Sequence, residues 1–269
     1  MISPPAKIMA SVVNKTSVEN FPREDAEWEL RVQLAAAYRL VDYFGWTELI
    51  FGHLTARVPG RDPHFLINPY GLSYDEVKAS NLVKIDIDGN IIGDSEHPVN
   101  KAGFVIHSAV HMAHSKENKC VMHTHTRAGM AVAAIEEGLQ SISMVSTGFH
   151  NRISYHDYEG ISLYEDERGR LLENLGENKA MILRNHGLLV VGGSVAETFI
   201  RLYRLERACQ IQLDASAAGT LNILPGQIAD KSGRDMDHFS KLETEGGMGT
   251  IEFAALRRKL DRIDPSYKN

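Results

Sequence analysis

The segment KCVMHTH, residues 119–125, is the stretch from which the architecture can be read. Its short run of Cys, Val, Met and Thr reads as a strand. Side chains two apart on a strand leave the same face, so His123 and His125 project together. Downstream, MILRN (181–185) and LLVVGG (188–193) read as two further strands joined across His186 and Gly187, where the glycine permits a tight bend. Upstream, the residues from Ala102 to Ser115 predict a helix. Its His107, His111 and His114, at i, i+4 and i+7, share one face.

The rest of the chain fits around this centre. Between Glu24 and Phe44, the residues Leu30, Leu34, Ala37, Tyr38, Val41 and Phe44 recur at helical spacing, and Gly45 stops the helix. IFGHLTARV (50–58) and HFLIN (64–68) read as strands separated by the turn PGRDP. LVKIDI (82–87) and NIIGD (90–94) flank Asp88-Gly89, a hairpin signal. Ala128 to Glu137 predicts a helix ended by Gly138. Ser194 predicts the cap of a long helix, Val195 to Ala215, with Glu197 in the capping-box position. After Gly219 the pattern weakens until a last helix, Thr250 to Ile263, ends before Pro265. Short strands with helices between them predict an α/β layered domain around a largely antiparallel sheet. The expected divisions are an N-terminal arm at 1–22, one main domain at 23–218, and an extension at 219–269 that ends in a helix.

Composition narrows the function classes. The chain has 269 residues, is 43% hydrophobic and 24% charged, and carries a net charge of -6, which argues against nucleic acid as a partner. No stretch approaches ~18 apolar residues, so no membrane span is expected. The N-terminus lacks the apolar core of a secretory signal. Cys120 and Cys209 form no C-x-x-C pair and read as reduced, buried thiols of a cytoplasmic protein.

Two imidazoles on one strand face can bind one metal ion, and a third ligand must come from elsewhere. Pattern alone leaves that third ligand open among His186, His53, His107, His111 and His156. Neutral imidazoles suit zinc, iron, cobalt, nickel or copper better than magnesium or calcium. Three protein ligands with open positions are the pattern of a catalytic ion. The H-x-H pair can equally be two hydrogen-bonded polar side chains, and a helical histidine stripe can be core packing.

The string NKAGFVIHSAVH (100–111), with VMHTHTRAG (121–129) and LRNHGL (183–188), resembles the class II aldolase/adducin family. So do GHLTAR (52–57) and INPYGLSYDE (67–76). The resemblance covers about residues 24–218, in five motifs of the same order. It implies a three-layer α/β/α fold with an antiparallel central sheet, and assembly as a homo-oligomer, a tetramer with active sites between subunits. It also implies one divalent ion on His123, His125 and His186, zinc first, with iron, cobalt or manganese as alternatives. In the family that ion stabilises the enolate-like charge formed when a C–C bond beside a carbonyl breaks.

Departures from the pattern matter as much. The sugar-phosphate aldolases carry P-S-S-E before the helix, with the Glu as acid and base. Here PVNKAG (98–103) has no carboxylate. The phosphate cradle of those enzymes is also altered, with His53 in the first Gly-rich motif and Val99 and Asn100 in place of two serines. A tyrosine that some members donate across the interface is replaced here, near Met144. Proton transfer is therefore expected from His107, His53 or metal-bound water, with Lys101 needing burial to serve. Gly52, Thr55, Arg57, Tyr70, Gly71 and Asn100 are the expected substrate-binding positions, Arg57 as a carboxylate partner. The function implied is a metal-dependent lyase acting on a small, unphosphorylated molecule. The alternatives are a non-catalytic scaffold like the adducin head, whose animal relatives bind spectrin and actin, and a three-histidine iron oxygenase.

Overall fold

The computed structural model describes residues 23–113, 117–160, 167–242 and 247–269. The expected arm at 1–22, His114, the Lys101 side chain and the segment 161–166 lie outside the described residues. In chain order the elements are α1 (Arg23–Tyr43), β1 (His53–Arg57), β2 (Phe65–Ile67), a 3-10 turn (Tyr74–Glu76), β3 (Val83–Ile85), α2 (Lys101–Ala113) and β4 (Cys120–Thr124). There follow α3 (Arg127–Ala133), α4 (Met144–Thr147), β5 (Ser154–His156), α5 (Glu167–Leu175), β6 (Ala180–Leu183) and β7 (Gly187–Gly192). Last come α6 (Val195–Ala218), α7 (Gly226–Leu242), α8 (Thr250–Ile263) and a 3-10 turn at Pro265–Lys268.

The seven strands form one sheet in the order β3-β2-β1-β4-β7-β6-β5. Every pairing is antiparallel except β5 with β6, so the expected α/β fold with a largely antiparallel sheet holds. β4 lies at the centre, and alternation sends its residues to two cores. Cys120 and Met122 join Leu34, Tyr38, Phe199 and Leu202 under α1 and α6. Val121 joins Val110, Leu171 and Leu189 under α2 and α5. Helices on both faces of the sheet make the three layers. The extension after Gly219 belongs to the same body. Phe253, Leu260 and Tyr267 are buried in the α1–α6 core. The amides of Ala79 and Ser80 bond the carbonyls of Tyr267 and Asn269.

Several local expectations need correction. Gly89 takes φ +76 as the Asp-Gly turn requires, but the second arm of that hairpin is a single bridge, Ile85 to Ile91. The helix expected over Ala128–Glu137 stops at Ala133 and decays into turns before Gly138 at φ +67. Ser194 does cap α6, but Glu197 bonds the amide of Gly193 rather than completing a capping box on Ser194. α7 was not expected because its inward stripe carries small residues. Ala229 is fully buried, and a Cβ on Gly233 would stand 2.8 Å from the Thr147 carbonyl of α4.

A three-histidine centre with a buried imidazole relay

β1 and β4 pair with His53 directly opposite His123, so both imidazoles lie on the α2 face of the sheet. His125 follows one residue beyond the end of β4, and His186 sits in the β6–β7 turn. That turn reaches β4 because its left-handed residue is Asn185, at φ +56. Gly187 serves space rather than backbone freedom: a Cβ there would stand 2.5 Å from the Thr124 carbonyl and 3.3 Å from the His125 ring. The expected tight bend is therefore made by asparagine, which tolerates the left-handed region.

The three histidines converge by their Nε2 atoms. His125 Nε2 lies 2.8 Å from His123 Nε2 and 3.0 Å from His186 Nε2. The ligand atoms of all three are within 4.8 Å of one another. No other group of three such side chains stands this close among the described residues. His123 Nδ1 lies 2.9 Å from the Leu188 carbonyl, which can only accept, so that nitrogen carries the proton and Nε2 keeps a lone pair. One proton on His125 Nε2 cannot satisfy both of its short contacts. At least one lone pair then faces another acceptor or a proton faces a proton, unless a cation sits between them. Tetrahedral zinc with Zn–N near 2.0–2.1 Å would separate the nitrogens by roughly 3.3 Å, close to what is present. The donor set therefore fits a divalent transition ion, and the backbone carbonyl behind His123 is the usual orienting partner of a ligating imidazole.

Electrostatics keep this set neutral and available. Burial holds His123 well below the ordinary imidazole range, with His186 and His125 adding to the effect. Burial and the adjacent His125 bring His186 down to about 4. Burial lowers His125 too, while the carboxylate of Glu48 acts in the opposite direction.

Behind His123 runs a chain of hydrogen bonds. His53 Nδ1 lies 2.9 Å from His107 Nε2, and His107 Nδ1 lies 2.7 Å from the Thr55 hydroxyl. Thr55 is 2.8 Å from His111 Nε2, and His111 Nδ1 is 2.8 Å from the Asn118 carbonyl. The terminal carbonyl fixes the direction of every link. His111 donates to it, so His111 Nε2 accepts from Thr55. Thr55 then accepts from His107 Nδ1–H, and His107 Nε2 accepts from His53 Nδ1–H. His53 is left with a bare lone pair on Nε2. Burial supports this neutral arrangement, pushing His53 to about 3, His111 to about 4 and His107 well below its usual range. Gly103 makes room for His53, since a Cβ there would be 2.2 Å from Nε2.

The structure thus brings His53, His107 and Thr55 into one chain beside the triad. His107 and Thr55 are fully buried with their polar atoms engaged, so neither is open to a bound molecule. Arg57 stands at the far end of β1, roughly 13 Å along the strand from His53 at ~3.3 Å per residue. Its guanidinium lies over the Phe65 ring, 5.8 Å away, so it is not a carboxylate clamp at the triad. Asn100 accepts from the Gly103 amide at 3.4 Å and so caps α2. Val99 packs against the core around Phe65 and Phe104. The Tyr70 amide bonds the Pro98 carbonyl, which places the turn with Gly71, at φ +104, beside the segment leading into α2. Gly52, at φ +80, lets its loop approach the His123 carbonyl. His156 pairs with Asn174 and Glu167 away from the triad contacts, which removes it as the third ligand. One residue escaped the sequence reading: Glu206 of α6, buried beside Thr126. Its signal was present, a carboxylate on the apolar stripe of Leu202, Leu205 and Cys209.

Comparisons with known proteins agree with this geometry. The family described as Class II Aldolase and Adducin N-terminal domain matches residues 32–213. A Pseudomonas aeruginosa protein, provisionally named an aldolase class 2 protein, is 46% identical over 245 residues, 90% of this chain and 93% of its own. Rat alpha-adducin is 44% identical over 87% of this chain, which spans only 33% of that longer protein. The crystal structure of an aldolase II superfamily protein from Pseudomonas syringae superposes with a TM-score of 0.83 at 47% identity, covering 91% of this chain and 96% of that one. With its sheet, its helical layers and its histidine motifs all in place, the chain belongs to the class II aldolase and adducin N-terminal domain family.

Proposed function

We propose that this protein is a divalent-metal-dependent lyase of the class II aldolase type that breaks a C–C bond beside a carbonyl in a small, unphosphorylated substrate. The convergence of His123, His125 and His186 through Nε2 carries the proposal. These three would hold the ion, zinc in the first instance. When bound, it supplies a Lewis acid that polarises substrate oxygens.

The chain's own residues supply the rest. The segment 98–103 has no carboxylate, and Asn100 is committed to capping, so the proton acceptor is an imidazole. His53 takes that role through its bare Nε2, while His107, Thr55 and His111 hold its proton on Nδ1 and so fix the tautomer. His107 acts from behind His53. Gly52, whose loop meets the His123 carbonyl, and the Tyr70–Gly71 turn beside the segment leading into α2 would border the bound substrate. Where a phosphate cradle would need hydroxyl and amide groups, His53 faces the relay and Val99 packs in the core. The active protein is a homotetramer in the cytoplasm, a compartment consistent with Cys120 and Cys209 as free, buried thiols.

Metal analysis of the purified protein tests the reading. Close to one transition ion per chain is expected, lost in His123→Ala, His125→Ala or His186→Ala. Full metal content in His186→Ala would remove that residue from the centre.

A further inference from the structure

α6 presents an apolar stripe to the sheet, and Glu206 interrupts it. The residue is 2% exposed, and a buried carboxylate costs several kcal/mol unless its oxygens are hydrogen-bonded. Its side-chain hydrogen-bond donors are neutral, and the charge of Arg207 acts on it without a hydrogen bond. The Thr126 hydroxyl donates to Oε2 at 2.5 Å, and Gln210 Nε2 donates to Oε1 at 2.9 Å. Thr126 follows His125 directly, and the same hydroxyl accepts from the Gly129 amide at 3.0 Å, capping α3. Gly129 in turn is a point of close approach. A Cβ there would stand 2.6 Å from Thr126 Oγ1 and 2.6 Å from Leu188 Cγ. Leu188 is the residue whose carbonyl receives the His123 Nδ1 proton. Glu206 and Thr126 thus stand at the residue that follows His125, and Gly129, capped by the same hydroxyl, packs close to the side chain of Leu188, whose carbonyl orients His123.

We infer that Glu206, acting through the Thr126 hydroxyl, is a positioning residue that holds His125 and His123 in ligating orientation from behind the sheet. The inference rests on the metal reading above. A capping hydroxyl needs no carboxylate: it can cap α3 with its proton given to any acceptor. The buried Glu206 adds a fixed acceptor that pins the rotamer of Thr126 and hence the chain leaving His125. Partners that orient metal-bound imidazoles at one remove commonly change affinity when lost, by about 10–100-fold.

The test compares removal with conservation. Thr126→Val deletes the hydroxyl at nearly constant shape, and Thr126→Ser keeps it. Glu206→Leu deletes both acceptors, and Glu206→Gln keeps one for Thr126. Zinc affinity of each metal-free protein is measured by competition with a chromophoric chelator, alongside its melting temperature. Thr126→Val and Glu206→Leu should bind zinc roughly 10–100-fold more weakly, with Thr126→Ser and Glu206→Gln within about threefold of wild type. If Glu206→Leu does not fold, the Thr126 pair decides. Wild-type zinc affinity in Thr126→Val, even with a lowered melting temperature, would overturn the inference and leave a purely structural cap. Absence of zinc binding by the wild-type protein would instead overturn the metal reading, and the positioning role of Glu206 with it.

Discussion

Replacing Thr55 by Val tests the relay at its hinge. Thr55 is fully buried, and its one hydroxyl serves two imidazoles, His107 at 2.7 Å and His111 at 2.8 Å. Valine fills almost the same space without a hydroxyl. His107 Nδ1–H then loses its acceptor and His111 Nε2 loses its donor, both inside the protein. A buried polar group left unsatisfied costs about 1–3 kcal/mol, so two cost about 2–6 kcal/mol. The added methyl returns roughly 1 kcal/mol of burial. The net loss, about 1–5 kcal/mol, is a large part of a total stability on the order of 5–15 kcal/mol. Thr55→Ser keeps the hydroxyl and loses one methyl, about 1 kcal/mol. Urea unfolding of metal-free protein, with all three forms at one concentration, gives the differences from the midpoints and slopes. Nitrogen shifts of the imidazoles give a second reading: wild type should show His53 and His107 each protonated on Nδ1. A Thr55→Val protein as stable as wild type, or a wild type with His53 protonated on Nε2, would refute the directed chain.

Other outcomes follow from the same geometry. Burial lowers His111 from 6.5 to about 4, so the unfolded chain takes up this proton first as pH falls. The stability it contributes is whole above pH 6.5 and is lost as pH falls from 6.5 towards about 4, by about 3 kcal/mol in all. The melting temperature should fall through that window, and less steeply in His111→Gln; equal slopes in the two proteins would count against the assignment. Phosphorylated aldol substrates should turn over no faster than their unphosphorylated analogues, and a strong preference for the phosphorylated sugar in a kinetic assay would restore a phosphate cradle. Light scattering should return a mass about four times that of one chain, and a monomer mass at micromolar concentration would contradict assembly.

Apolar runs and spacing, together with cap and turn residues, made the main helices and central strands legible: α1, α2, α6, α8, β1, β4 and β7 lie close to where the sequence placed them. The same-face projection of His123 and His125 followed from alternation on a strand, which is a local property of the backbone. The third ligand was not local. His186 is 61 residues from His125, and only the antiparallel pairing of β4, β7 and β6 brings its turn to the same strand end. β5 and α4 are too short to show a period, and α7 hides its inward face in Ala and Gly. The histidine stripe on α2 was visible as spacing, yet its meaning depended on what faced it. The pairing register set Thr55 and His53 opposite that stripe and joined the residues into a chain with one direction. Glu206 could be seen as a carboxylate on an apolar stripe, but its partner at Thr126 came only from the packing of α6 on α3. Side-chain type and spacing are written along the chain and act over a turn or a few strand residues. Which lone pair meets which proton is decided across elements distant in sequence, where only tertiary contact sets the geometry.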